Sequence, residues 1–221
     1  KKIIEKYVRG SKYKKNILIM VGGRIIAQAI PILLTPLLTR LYSPSEFGMF
    51  GVYAAIIAFV AMISNGRYSL SIILPKSDID AKKLFLLSSL LTVGVTAVFG
   101  LIFIVLGNWF FDFFEVSILQ KYLSILILNI LFIGLYESLY YYVLRTKNYK
   151  ILTTNIIIQA FVLVSIRLLC GYLEFTEIGL IISYLIGYSV GYILLILRLK
   201  IPVFSLFKEF KIFNYISLLK R

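Results

Sequence analysis

Six long apolar stretches constrain this chain more than any other feature of its sequence. They run over residues 17–41, 48–74, 84–107, 118–144, 151–172 and 178–197. Each reaches the roughly 20 mostly apolar residues that a helix needs to cross a bilayer. Inside lipid a backbone must satisfy its own hydrogen bonds, so runs of this length predict helices and not open strands. The expected fold class is all-α: a polytopic membrane protein built as a six-helix transmembrane bundle. Composition agrees, with 60% of the 221 residues hydrophobic and only 15% charged, where a soluble domain is roughly 45–50% apolar.

The formal charge of +14 would point to nucleic acid in a soluble protein. Its placement points elsewhere. Of the 24 Lys and Arg, 19 lie before the first run, between the second and third, between the fourth and fifth, and after the sixth. The intervening loops carry Glu46, Asp112, Glu115, Glu174 and Glu177, with Arg40 and Lys121 beside them. Basic loops stay in the cytoplasm, so both ends of the chain are expected there and nucleic acid is not an expected partner. Residues 1–16 read as a basic cytoplasmic N-terminus and 17–197 as the transmembrane lobe. Residues 198–221 read as a cytoplasmic linker, amphipathic over 201–221, and 213–219 as the possible start of a seventh helix. The first run is not expected to be a cleaved signal peptide, despite the small residues Ala27 and Ala29, because Arg24 interrupts it and it continues to Leu41.

The chain has one cysteine, Cys170, and no histidine. An intrachain disulfide and Cys/His metal spacing are thereby excluded. No Gly-rich phosphate loop followed by Lys-Ser/Thr occurs, and no loop is long enough for a transferase domain. The expectation is a carrier and not an enzyme, with no cofactor and with membrane lipids around it.

Charge within a spanning helix costs about 2.5–3.5 kcal/mol on insertion scales, so Arg24, Arg67, Glu137 and Arg167 stand out. Arg24 begins a polar stripe that continues through Gln28, Pro31, Thr35 and Thr39. The stripe reads as a helix lining a wet cavity; alternatively Arg24 snorkels to the cytoplasmic headgroups, about 10 Å away. Arg67 also lies within snorkelling reach of its loop. Glu137 sits among Tyr136, Tyr140, Tyr141 and Tyr142. It can carry a proton or pair with Arg24 or Arg67, or it is a purely structural ion pair, while the tyrosines read as an interfacial belt. On the fifth run Asn155, Gln159 and Arg167 recur at multiples of four, with Arg167 near the outer end as an anchor. Ser183, Gly187 and Gly191, and likewise Gly23 and Ala27, are spaced for close helix packing. Several interior cations imply an anionic substrate.

Some blocks are familiar. GGRIIAQAIP over residues 22–31 and TPLLTRLYSPSEFG over 35–48 resemble the opening of bacterial polysaccharide flippases. GRYSLSIILPK over 66–76 with DIDA over 78–81 is similar to their second-helix signature, and YYVLRTK over 141–147 to the exit of their fourth helix. These are the O-antigen and capsule repeat-unit flippases of the multidrug/oligosaccharidyl-lipid/polysaccharide exporter superfamily. Ser69 stands where that family usually has Glu, and Arg24 where it often has a small or hydroxyl residue.

The resemblance implies two six-helix lobes around a cationic cavity, of which this sequence holds the N-terminal one and would be inactive alone. It implies translocation of undecaprenyl-pyrophosphate-linked oligosaccharide across the bacterial cytoplasmic (inner) membrane by alternating access, alongside other polysaccharide assembly proteins. Arg24 and Arg67 would then bind pyrophosphate. Gln28, Asn155 and Gln159 would bind sugar hydroxyls, and Glu137 would couple an ion or balance the arginines. A drug exporter of the same superfamily and a membrane polysaccharide polymerase are the rival expectations. Interior cations outnumber acids, which disfavours the first, and the short outer loops disfavour the second.

Overall fold

The computed structural model describes residues 2–199, with side chains from Lys14 onward except that of Thr176. Among the described residues there are α-helices and no strands: α1 (Lys2–Leu41), α2 (Pro44–Ser64), α3 (Tyr68–Ser71), α4 (Asp78–Phe113), α5 (Leu123–Arg145), α6 (Tyr149–Tyr172) and α7 (Thr176–Leu199). A 3-10 turn, Ser117–Tyr122, leads into α5. All but α3 contain a stretch long and apolar enough to cross a membrane. Their outer faces are apolar too: Leu33, Val105 and Trp109 are each about two-thirds or more exposed. Such a surface is stable in lipid and not in water. The chain is a multi-pass membrane protein. The expected 201–221 amphipathic stretch and the seventh-helix start lie outside the described residues.

Local chemistry explains the joints. The α1–α2 turn closes on a capping box: the Glu46 N–H donates to Ser43 Oγ at 3.3 Å and the Ser43 N–H to Glu46 Oε2 at 2.6 Å, with Pro44 at the first helical position. Ser77 Oγ accepts from the Ile79 N–H at 3.2 Å and starts α4. The 48–74 run is not one helix, contrary to the hydropathy reading. α2 ends at Ser64, Gly66 and Arg67 take left-handed backbone (φ 57° and 60°), and the chain re-forms only the short α3. The Asn65 side-chain carbonyl accepts the Arg67 N–H at 3.0 Å and holds that break. The third run is longer than expected, because its polar ends join the helix as α4.

α1 packs along α6, α6 along α7, α7 along α5, and α5 against α4 and α2. The seams follow membrane logic, in which small residues and interhelical hydrogen bonds replace a hydrophobic driving force. On the α4–α5 seam Ser88 and Ser138 share a hydrogen bond of 2.7 Å, both fully buried. The expected small-residue rows both serve as packing faces: Gly23 meets the Thr153 side chain, and Gly187 and Gly191 meet Leu163 and Gln159. Lys14, Lys15, Lys76, Lys82, Lys83, Arg145, Lys147 and Lys150 gather at one end of the bundle, termed the basic end below. There Arg145, on α5, bonds Asp78 and the Pro75 carbonyl and fastens the entry of α4.

Candidate functional site

α1 docks on α6 through Gly23, Ala27 and Leu38, all buried. That choice of face sets the next stripe around the helix, and Arg24 and Gln28 are exposed. Arg24 borders an open cleft of about 370 Å³, within the roughly 300–1,000 Å³ of small-ligand sites. Its other walls are Ile133, Tyr136, Glu137, Tyr140 and Tyr141 of α5, Ile156 and Gln159 of α6, and Tyr188 of α7. By helical rise Arg24 and Glu137 lie about 12–14 Å from the basic end. One guanidinium, one carboxylate, one amide and four phenols therefore converge on a single cleft within the helix bundle.

Glu137 is held from behind. The Asn65 amide donates to Glu137 Oε2 at 3.0 Å, and the same Asn65 caps the left-handed turn after α2. The helix break and the cleft carboxylate are thus one hydrogen-bonded unit. Buried Ser69 stands beside that carboxylate. The resemblance places the family's acid at position 69; here α5 supplies one to the same neighbourhood. Among the described residues the salt bridges are Lys83–Asp80 and Arg145–Asp78. Glu137 and Arg24 share the cleft without a direct ion pair.

The other expected site residues separate. Gln159 lines the cleft. Asn155 lies behind the wall, fully buried: its Oδ1 accepts from the Tyr136 hydroxyl at 3.1 Å and its Nδ2 donates to the Gly191 carbonyl at 2.9 Å. It ties α5, α6 and α7 together and sets the Tyr136 ring. Arg67 is exposed and stands outside the cleft lining, as does Gln28. Thr35 and Thr39 continue the α1 stripe, but their hydroxyls donate to the Pro31 and Pro36 carbonyls of their own helix, at 2.9 and 3.1 Å. Arg167 is half-buried, with Nε donating to Ser183 Oγ at 3.0 Å and its guanidinium 4.6 Å from the Phe50 ring centre. Two contributors escaped the sequence reading. Asn65 carries a signal, the Asn-Gly dipeptide that marks turns; Tyr188 carries a weaker one, as the middle of three tyrosines spaced four apart on α7 with Tyr184 and Tyr192.

The pattern of the family described as polysaccharide biosynthesis protein matches residues 37–216, about four-fifths of the chain. The chain belongs to that family. Neither curated proteins nor solved structures give a match. In this polysaccharide biosynthesis protein the match includes Arg67, Glu137, Asn155, Gln159 and Arg167, while Arg24 and Gln28 precede it. Involvement in polysaccharide synthesis or export follows from membership.

Proposed function

We propose that this protein carries a polyprenyl-pyrophosphate-linked oligosaccharide repeat unit across the bacterial cytoplasmic membrane, for O-antigen, capsule or exopolysaccharide synthesis. It acts as a carrier and catalyses no bond change. The observation that carries this reading is the cleft, in which Arg24, Glu137 and Gln159 meet beside Tyr136, Tyr140 and Tyr188. A pyrophosphate leaving water needs charge-assisted donors, and a planar guanidinium offers them in pairs. A sugar ring presents hydroxyls along its rim and C–H groups on its faces. Amide and phenol groups suit the rim, and tyrosine rings suit the faces. In this reading the basic end faces the cytoplasm and the substrate enters from there. Glu137 keeps the empty cleft near neutrality and gives up or takes a counter-ion as the pyrophosphate comes and goes. A second lobe, which the family resemblance implies, closes the open side.

Arg24 supplies the test. In a strain that depends on the full chain for surface polysaccharide, Arg24→Gln is expected to cut surface polymer about ten- to a hundred-fold at equal protein level. That is the cost of about 1.5–3 kcal/mol for a lost charged hydrogen bond. Arg24→Lys should retain most of it. Wild-type polymer from Arg24→Gln would remove the cleft from the transport path.

A further inference from the structure

Arg167 lies eight residues along α6 from Gln159, about 12 Å farther from the basic end. A guanidinium in a spanning helix is ordinarily paired with a carboxylate or with backbone carbonyls. Here the described residues provide no carboxylate in salt-bridge contact. What they provide is a mount. Ser183 accepts from Nε at 3.0 Å and is itself fixed by donating to the Leu180 carbonyl at 2.7 Å. The Phe50 ring lies under the guanidinium carbon at 4.6 Å, a cation–π contact that leaves the charge in place. Among the described residues the two terminal nitrogens, the forked edge that recognises phosphate, make no hydrogen bond, and their polar neighbours are the phenols of Tyr42, Tyr184 and Tyr188.

Packed rings link the cleft wall to the mount. Tyr136 meets Tyr188 at 5.7 Å between ring centres, Tyr188 meets Tyr184 at 5.1 Å, Tyr184 meets Phe50 at 5.6 Å, and Arg167 covers Phe50. A row of ring contacts thus runs from the wall of the Arg24 cleft to the second guanidinium, and among the described residues neither cation is in a salt bridge. We propose that Arg167 is a second anion-binding station, farther from the basic end, for the phosphate of a lipid-borne substrate that has left Arg24. The inference rests on the transport reading above and adds to it a second site.

The full chain, purified in detergent micelles, tests this with farnesyl pyrophosphate as the probe. Wild type is expected to bind two molecules per chain, and Arg24→Gln and Arg167→Gln one each, with Arg167→Lys keeping both. Two molecules bound by Arg167→Gln would overturn the second station while leaving the first. No binding by wild type would overturn the transport reading as well. Farnesyl pyrophosphate held by Arg24→Gln should resist displacement by dioleoylphosphatidylglycerol; ready displacement would make Arg167 an anchor for ordinary headgroups and end the proposal. Should Arg167→Gln fail to fold, phenylglyoxal labelling of wild type gives the answer. Farnesyl pyrophosphate, and not farnesol, should slow Arg167 labelling at least about five-fold, and equal labelling would overturn the station.

Discussion

Gly134→Leu is expected to abolish folded protein. Gly134 sits on α5 where α2 and α4 both approach, and even a Cβ there would fall 2.6 Å from Thr92 Cγ2 and 2.7 Å from Ser64 Oγ. Neither neighbour is free to turn aside. Thr92 donates to the Ser88 carbonyl at 3.0 Å and Ser64 to the Ala61 carbonyl at 2.8 Å, and both are fully buried. Rotating either would strand a hydroxyl in a seam that water does not reach. Overpacking a tight core costs about 1–3 kcal/mol, and four added carbons against β-branched and hydrogen-bonded neighbours place this substitution at or above the upper end. Size-exclusion chromatography in detergent should show the monodisperse peak lost. A leucine variant that elutes and melts like wild type would mean that α2, α4 and α5 do not meet this closely.

The second large effect is on transport. Glu137→Gln keeps the shape of the side chain and an oxygen to accept from Asn65, and removes only the charge. It is expected to fold with a melting temperature within a few degrees of wild type, yet to lower surface polysaccharide at least about ten-fold. Glu137→Ala adds a different injury, because the buried Asn65 amide loses its acceptor. An orphaned buried donor costs about 1–3 kcal/mol, so the alanine variant should also melt measurably lower. The split between the two variants separates the charge of Glu137 from its role in holding the break after α2. Full export by Glu137→Gln would assign the residue to structure alone.

The six spans were legible because length and apolarity are sequence properties that lipid enforces directly. The break at Asn65 was not read, since apolar residues resume at Leu70 and a hydropathy window passes over a three-residue turn. Its cause is backbone chemistry, the left-handed pair Gly66–Arg67 and the Asn65 cap. Arg24 and Glu137 stand out in the sequence as ionisable groups in lipid, and Arg24 and Arg67 equally as partners for Glu137. That Arg24 and Glu137 share a cleft depends on α1 docking through Gly23 and Ala27, and the small-residue row indicates a contact face without naming the partner helix. Asn155 shows the converse: a polar residue at helical spacing from Gln159 looks alike whether it faces a ligand or ties three helices, and only its bonds to Tyr136 and Gly191 tell which. Of the four tyrosines that read as an interfacial belt, Tyr136, Tyr140 and Tyr141 line the cleft, while Tyr142 packs against Phe85 of α4.

The central claim is that the cleft carries a lipid-linked oligosaccharide from one leaflet to the other. Proteoliposomes containing the full chain with any second lobe its gene encodes, loaded with radiolabelled polyprenyl-pyrophosphate-linked oligosaccharide, test it most directly. The fraction of label reachable by an external glycosidase is followed over time. The account predicts wild-type equilibration between leaflets at least about ten-fold faster than in Arg24→Gln vesicles, which should behave like protein-free ones. Equal rates in wild-type and Arg24→Gln vesicles, or no acceleration by wild type, would contradict it.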